Sequence, residues 1–458
     1  MSNLSIGPIM TLLPSSRPSA FSLSRLLAYS AIAATSTVLS FLVPAMSKSS
    51  IAALQNSPKA ILDEAWQIIN AEYVDPEFNQ QDWQAVRTEL LSQNYTSIDS
   101  AYDALREVVQ ELDDPYTRFM EPEQYQELTT QTSGEFSGVG LRLRVPEETG
   151  ILTVVEALDG SPANQAGLAS GDRILAIDGT STSGMNVQEA ANLMSGEVGT
   201  SLTLTVTRSQ DDEFEVALMR ERLELPTVNY ALRNEGRTDI GYIRLSEFSA
   251  HAAEQMEEAI ADLSEQDVDA FVLDLRGNPG GLLRSSIDIS RMWLSDGSIV
   301  QTVDRHGNSE EIEANGTALT DLPLAVLVDG NSASSSEIVT GALADNERAV
   351  VVGHQTFGKA LVQAVHSLSD GSGLAVTVAH YYTPDGTDIS QLGITPDISV
   401  ALTLEQRQKL STNPDLQGTY ADPYYREALE ALQPAIFANQ RTSELLQSQS
   451  QFLIEITE

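Results

Sequence analysis

Apolar residues recur at helical spacing early in the chain. Ile61, Leu62, Ala65, Ile68 and Ile69 fall on one face, as do Ala101, Leu105, Val108, Val109 and Leu112. Residues 57–133 therefore read as a helical N-terminal segment whose second pattern ends at Asp114-Pro115. Beyond residue 134 the period shortens to two. Runs at 141–145, 151–155, 174–177, 202–206 and 214–218 lie between Gly- and Asp-containing turns, with short helical patterns near 162–168 and 187–194. Residues 134–222 are thus expected to form a small unit of short strands with two short helices. From 223 to 400 the two periods alternate: strands at 240–245 and 270–275, helices at 252–263 and 285–294, and a late strand at 376–382. That order predicts an α/β core. Residues 401–458 read as mostly helical and polar, either a packing arm or a contact between copies.

The amino terminus changes the picture. The first 62 residues contain no Asp or Glu, and Arg17 and Arg25 precede an apolar run over 26–43. Small residues follow at Val43-Pro44-Ala45. Residues 1–45 read as an export signal, with an uncleaved membrane anchor as the alternative, because the run is about long enough to span a bilayer. Either form places the rest of the chain outside the cytoplasm. Lys plus Arg number 26 against 65 Asp plus Glu, a formal charge of −39. Such a molecule repels nucleic acid and anionic lipid surfaces. Cysteine is absent, which excludes thiol catalysis, disulfides and thiolate-bound zinc.

Candidate chemistry concentrates in residues 322–363. An apolar run at 325–328 has the length and β-branching of a buried strand, and Asp329, Gly330 and Asn331 break it. A helical pattern starts near Ser334, with Ile338, Val339, Ala342 and Leu343 on one face. A second apolar run at 349–352 leads to Gly358-Lys359. Two readings fit. Ser334 and Lys359 are a nucleophile and its base, or Ser334-Ser335-Ser336-Glu337 is a capping box without chemistry and Lys359 a surface lysine. A lysine is a base only when neutral. Moving it from about 10.4 to about 7–8 takes roughly 3.5–4.5 kcal/mol, which burial among apolar neighbours supplies. Phe357, Leu361, Val362 and the run before Gly353 are the expected walls, and Gln363 is expected one helical turn beyond Lys359.

An oxyanion would take one N–H from Ser335, the residue after the nucleophile. Arg276-Gly277-Asn278-Pro279-Gly280-Gly281, after the strand at 270–275, either joins that site or is only a turn between strand and helix. It is not a phosphate loop, because no Gly-Lys-Ser/Thr ends it. The five histidines, His251, His306, His354, His366 and His380, leave a histidine base open by count, with His354 the first to test. No triad motif and no G-x-S-x-G surrounds Ser334. H-E-x-x-H is absent and no cluster has ligand spacing, so no metal site is expected. Gly138-Val139-Gly140-Leu141 opens into a strand rather than a helix, which argues against a dinucleotide. It suits successive N–H groups turned toward a terminal carboxylate, the bound tail adding a strand at the sheet edge.

VDGNSASSSEIVTGAL followed by G-x-x-T-F-G-K-x-x-V-Q resembles the carboxyl-terminal processing peptidases, the tail-specific Ser/Lys proteases of family S41. LDDPYTRFMEPEQY, FSGVGL, GSPANQAGL, SGDRILAIDG, GYIRLSEF, VLDLRGNPGGLL and GITPDI fall in that family's order over about residues 60–400. The resemblance implies an α/β protease core with a helical N-terminal segment and an inserted PDZ domain, an α+β partial barrel, over 134–222. It implies Ser334, the middle serine, as nucleophile, Lys359 as base, Gln363 as the residue holding the lysine amine, and Gly281 beside Ser335 as oxyanion donors, with no cofactor. It also implies capture of the C-terminal tails of exported or membrane proteins by Gly138, Val139, Gly140 and Leu141, in a periplasm or a thylakoid lumen. Ser335 stands where the family has alanine and Ala360 where it has glycine, both small-for-small changes. Many relatives end the second PDZ helix with a basic residue before glycine; here the sequence is Met194-Ser195-Gly196, so that coupling residue is missing from its usual place. A catalytically silent PDZ scaffold that binds tails is the alternative, and the intact Ser334, Lys359 and Gln363 argue against it.

Overall fold

The computed structural model describes residues 11–12, 57–208 and 212–457, with side chains to residue 441. Apart from Thr11–Leu12, the export signal or anchor expected at 1–45 lies outside the described residues. No helix among the described residues is long and apolar enough to cross a membrane. Helices α1 (Pro58–Glu72), α2 (Trp83–Ser92) and α3 (Ile98–Gln110) come first, each capped by a side chain, from Ser57, Asp82 and Ser97, that accepts a first-turn N–H. The expected stripes turn inward: Ile61, Leu62, Ala65, Ile69, Ala101, Leu105 and Val109 bury together. The short strand β1 (Arg118–Met120) and helix α4 (Pro122–Ser133) follow.

The next stretch holds β2 (Glu135–Gly138), β3 (Leu141–Arg144), β4 (Thr153–Ala157), α5 (Pro162–Gln165), β5 (Arg173–Ile177), α6 (Val187–Met194), β6 (Ser201–Thr207), β7 (Glu213–Met219) and β8 (Glu221–Glu224). Strands β3 to β7 form one sheet in that order, with β3 at an edge. β2 pairs antiparallel with β8, so a ribbon closes the unit where the chain enters and leaves it. Leu202, Leu204 and Val206, alternate residues of β6, share a core with Ile174, Ile177 and Met194. The end of α6 is not without a cation. Arg220, between β7 and β8, donates from Nε and Nη2 to the Met194 and Leu193 carbonyls at 2.9 and 3.0 Å, and from Nη1 to Thr200 Oγ1 at 3.1 Å. A guanidinium therefore stands at the end of α6, supplied by a residue 25 positions after Ser195.

The core runs β9 (Val228–Glu235), β10 (Thr238–Leu245), α7 (Ala252–Ser264), β11 (Ala270–Asp274), α8 (Leu283–Trp293), β12 (Ser298–Asp304), β13 (Ser309–Glu313), β14 (Leu324–Val328), α9 (Ser335–Asp345), β15 (Val350–Gly353), β16 (Leu361–Ser367), β17 (Gly373–Tyr382) and β18 (Ile398–Ser399). The central sheet is ordered β9-β10-β11-β14-β15-β18, parallel from β10 onward. Helices α7, α8 and α9 bury one face. After α10 (Leu404–Thr412), α11 (Pro423–Thr457) covers the other through Tyr425, Ala428, Leu429 and Leu432. A sheet covered on both faces needs strands apolar throughout, and β11 and β14 are buried at every position. Of the two roles open for residues 401–458, packing is therefore one they perform. A second sheet pairs β16 with β17 and β17 with β12 and β1. It packs on the N-terminal helices through Leu368, Leu374 and Val376.

Candidate active site at the ends of the parallel strands

Loops leaving the carboxyl ends of β10, β11, β14 and β15 meet, at the place where open parallel sheets hold their ligands. Four serines crowd the turn from β14 into α9. Ser332 Oγ donates to the Leu275 carbonyl at 2.8 Å, Ser335 Oγ to the Gly281 carbonyl at 3.1 Å and Ser336 Oγ to the Asn278 carbonyl at 2.9 Å. Ser334 is as deeply buried, yet among the described residues its hydroxyl has no hydrogen-bond partner. Its backbone lies at φ +57°, ψ −114°, a conformation that costs a residue with a Cβ about 1–3 kcal/mol. The capping-box arrangement of Ser334 and Glu337 is present; its Glu337 half is a hydrogen bond, Oε2 accepting from Ser334 N at 2.9 Å, while the serine hydroxyl makes none among the described residues.

Glu337 does more than cap. Fully buried, it also accepts from Lys359 N at 3.0 Å, Gly358 N at 2.7 Å and Thr356 Oγ1 at 2.6 Å. Burial raises its pKa against the pull of these bonds. One carboxylate oxygen thereby fastens the main chains of both Ser334 and Lys359. Tyr381 ties the same two residues from β17, its hydroxyl shared between the Ser334 carbonyl at 3.2 Å and the Lys359 carbonyl.

Lys359 is 1% exposed, with Nζ 4.6 Å from the centre of the Tyr116 ring. Burial, and then the Arg118 guanidinium, lower its pKa to about 7 against the opposing charges of Asp114 and Glu337. The expected walls are only partly right: Val362 is buried, but Phe357 is 45% exposed and the ring over the amine is that of Tyr116.

Gln363 requires a correction. It is not one helical turn beyond Lys359, because residues 361–367 pair with β17 as strand β16. A spacing of four fits a helix, but cross-strand pairing of Val362 and Val365 with Ala379 and Ala375 decides the conformation. Gln363 is still buried at the site. Its Nε2 donates to Thr377 Oγ1 at 3.4 Å, and its Oε1 has no partner among the described residues.

The glycine loop closes over the serine. Asn278 Oδ1 accepts from Gly280 N at 2.9 Å, and the Gly280 carbonyl accepts from Phe248 N at 2.9 Å. The N–H groups of Gly281 and Ser335 make no hydrogen bond among the described residues. Gly280 and Gly281 sit at φ +107° and +144°. A Cβ on the first would come within 2.8 Å of Ser334 Cβ, and one on the second would run into the Phe248 carbonyl, so neither position accepts a side chain. His354 is exposed, and no histidine bonds the Ser334 hydroxyl.

Gly138, Val139, Gly140 and Leu141 form a second locus, in the turn from β2 to edge strand β3. Gly140 is at φ +79°, and the carbonyls of Val139 and Gly140 accept from Ala163 N and Leu158 N at 3.0 and 2.9 Å. Periodicity misses Asp114, Tyr116 and Arg118 around Lys359, and their signal is the LDDPYTRF motif, whose polar density no helical stripe explains. Thr377 and Tyr381 fall on the strand expected at 376–382, but nothing in that run says that they reach Gln363 and Lys359.

Residues 239–400 match peptidase family S41, residues 153–208 a PDZ domain, and residues 55–93 the Tricorn protease C1 domain. The chain is 41% identical over 403 residues to the carboxyl-terminal-processing protease of Synechocystis sp., covering 86% of this chain and 92% of that one. It is 39% identical over 372 residues to the chloroplastic carboxyl-terminal-processing peptidase 3 of Arabidopsis thaliana, covering 77% and 72%. A solved structure, the photosystem II D1 C-terminal processing protease, is 33% identical and aligns with 76% of this chain and 96% of its own, with a TM-score of 0.47. The chain belongs to peptidase family S41, the carboxyl-terminal-processing serine proteases, hydrolases that carry a PDZ domain within the peptidase architecture.

Proposed function

We propose that this chain is an exported endopeptidase that captures the C-terminal tail of a substrate protein and cuts near that end. Residues 134–222 are the PDZ domain, 57–133 and 401–458 the flanking helical segments, and 223–400 the catalytic core. The tail adds a strand along β3, its carboxylate at the amides that follow Gly138, and capture raises the local concentration of the scissile bond. Ser334 Oγ attacks the carbonyl carbon and passes its proton to the neutral Lys359 amine. The oxyanion is received by the N–H groups of Gly281 and Ser335. The Lys359 ammonium then protonates the leaving amine as the C–N bond breaks, and the regenerated amine activates the water that releases the acyl group. Gln363 holds the lysine amine. The substrates are exported or membrane proteins with apolar C-terminal residues, met in a periplasm or a thylakoid lumen, a placement that fits cyanobacterial and chloroplastic relatives.

The observation that carries this reading is the serine cluster. Three of its four hydroxyls are held by main-chain carbonyls, and the one left over, on Ser334, belongs to the residue with the strained backbone. The test is incubation of the purified chain with a disordered protein bearing an apolar C-terminus. Wild type cleaves it; Ser334→Ala binds the tail and does not. Cleavage surviving Ser334→Ala means another nucleophile, and binding without cleavage by wild type means a scaffold.

A further inference from the structure

We infer that Asp114, outside the catalytic core, is a positioning residue for the reaction: through Thr377 it decides which end of the Gln363 amide faces the Lys359 amine. The inference rests on the roles proposed above for Lys359 and Gln363. It follows from which groups are able to donate. A carboxylate only accepts, so the Thr377 hydroxyl must donate to Asp114 Oδ2, 2.6 Å away. With its hydrogen committed, Thr377 Oγ1 offers Gln363 only lone pairs, and the amide must turn its NH2 toward it, at 3.4 Å. Gln363 Oε1 is then the end that points elsewhere, buried and without a partner among the described residues. An acceptor in that state needs an N–H, and the donor chemistry the reaction brings there is the Lys359 amine. A neutral amine that donates to Oε1 leaves its lone pair for the Ser334 proton.

Asp114 is itself held. Thr117 Oγ1 donates to its Oδ2 at 2.7 Å and Tyr116 N to its Oδ1 at 2.9 Å. Thr117 Oγ1 in turn accepts from Thr377 N at 3.0 Å. Thr117, Thr377 and Gln363 are each at most 3% exposed, so water does not compete for these bonds. Among the described residues, the ring and charged groups that act on the lysine include Tyr116 and Arg118 from the same segment, Glu337 from α9 and Asp114 itself. Asp114 and Arg118 pull the lysine pKa in opposite directions, up and down respectively. The segment after α3 is therefore part of the active site and not only a platform.

The experiment compares Asp114→Asn, Thr377→Val, Thr377→Ser and Gln363→Ala in the full chain, with a tail-bearing substrate. Asp114→Asn is expected to lower kcat roughly 10- to 100-fold with KM little changed, since a small misplacement costs that much. It also moves the acid limb of the kcat/KM profile to lower pH, because a carboxylate that favours the ammonium is gone. Thr377→Ser keeps the hydroxyl and stays near wild type. Thr377→Val falls as far as Gln363→Ala, and the Thr377→Val/Gln363→Ala double variant falls no further than either. If Asp114→Asn fails to fold, the two Thr377 variants decide. Wild-type kcat in Thr377→Val, or an unmoved acid limb in folded Asp114→Asn, overturns the inference. Cleavage by Ser334→Ala would instead overturn the dyad reading, whatever these variants do.

Discussion

Lys359 is the side chain whose state governs the rest. Its pKa in the fold is about 7 against an ordinary 10.5. Between these values the unfolded chain holds a proton that the folded chain has released, so stability rises with pH across that window. Below 7 the fold keeps a buried ammonium and is at its least stable. Lys359→Met is therefore expected to be inactive yet more stable, its Tm above wild type by several degrees at pH 6 and the gap closing toward pH 10.5. Thermal scans at both pH values check this; a lower Tm at pH 6 would mean that the ammonium is well solvated or paired. The lysine and serine are legible in sequence because each ends a strand–turn pattern. The neighbours that set the lysine's state are not, since Asp114 and Thr377 meet across 263 residues and neither sits on an apolar period.

The PDZ unit shows how far elements are readable. Strands β3 to β7 and helix α6 fall where alternation puts them, because each buries one face on a small core of its own. Strand β16 does not, because its conformation comes from pairing with β17 and not from its own pattern. Arg220 is equally invisible: nothing local says that a residue between two strands will close a helix 26 positions earlier. Its guanidinium also satisfies C-terminal carbonyls of α6, where a cation is favoured. Arg220→Met should loosen α6 in the domain proposed to hold the tail. We expect the Kd for an apolar C-terminal peptide to rise roughly tenfold, about 1.4 kcal/mol, with kcat at saturating substrate nearly unchanged. Peptide anisotropy alongside turnover measures both, and an unchanged Kd would separate Arg220 from the groove.

At the scale of the whole molecule, segments from both sides of the core sequence pack on its two sheets, the N-terminal helices on the second and the C-terminal helix on the central one. The N-terminal helices bring Asp114 to the lysine, and the C-terminal segment brings Asp422 to Arg276, at the root of the glycine loop. There Arg276 bonds both Asp274 and Asp422, all three buried, and the Tyr242 hydroxyl donates to Asp274 at 2.6 Å. Removing one member of such a cluster strands the others, so Asp422→Ala is expected to cost about 3–5 kcal/mol. Chemical denaturation measures it; a loss under about 1 kcal/mol, the range of exposed pairs, would mean that the cluster is hydrated. The mechanism proposed for this architecture rests on a neutral Lys359 amine that takes the Ser334 proton. The most direct test is kcat/KM for a tail-bearing substrate from about pH 5 to 9. A lysine base gives a tenfold rise per pH unit that levels off near pH 7, absent in Ser334→Ala. A profile that is flat from pH 6 to 9 would contradict it.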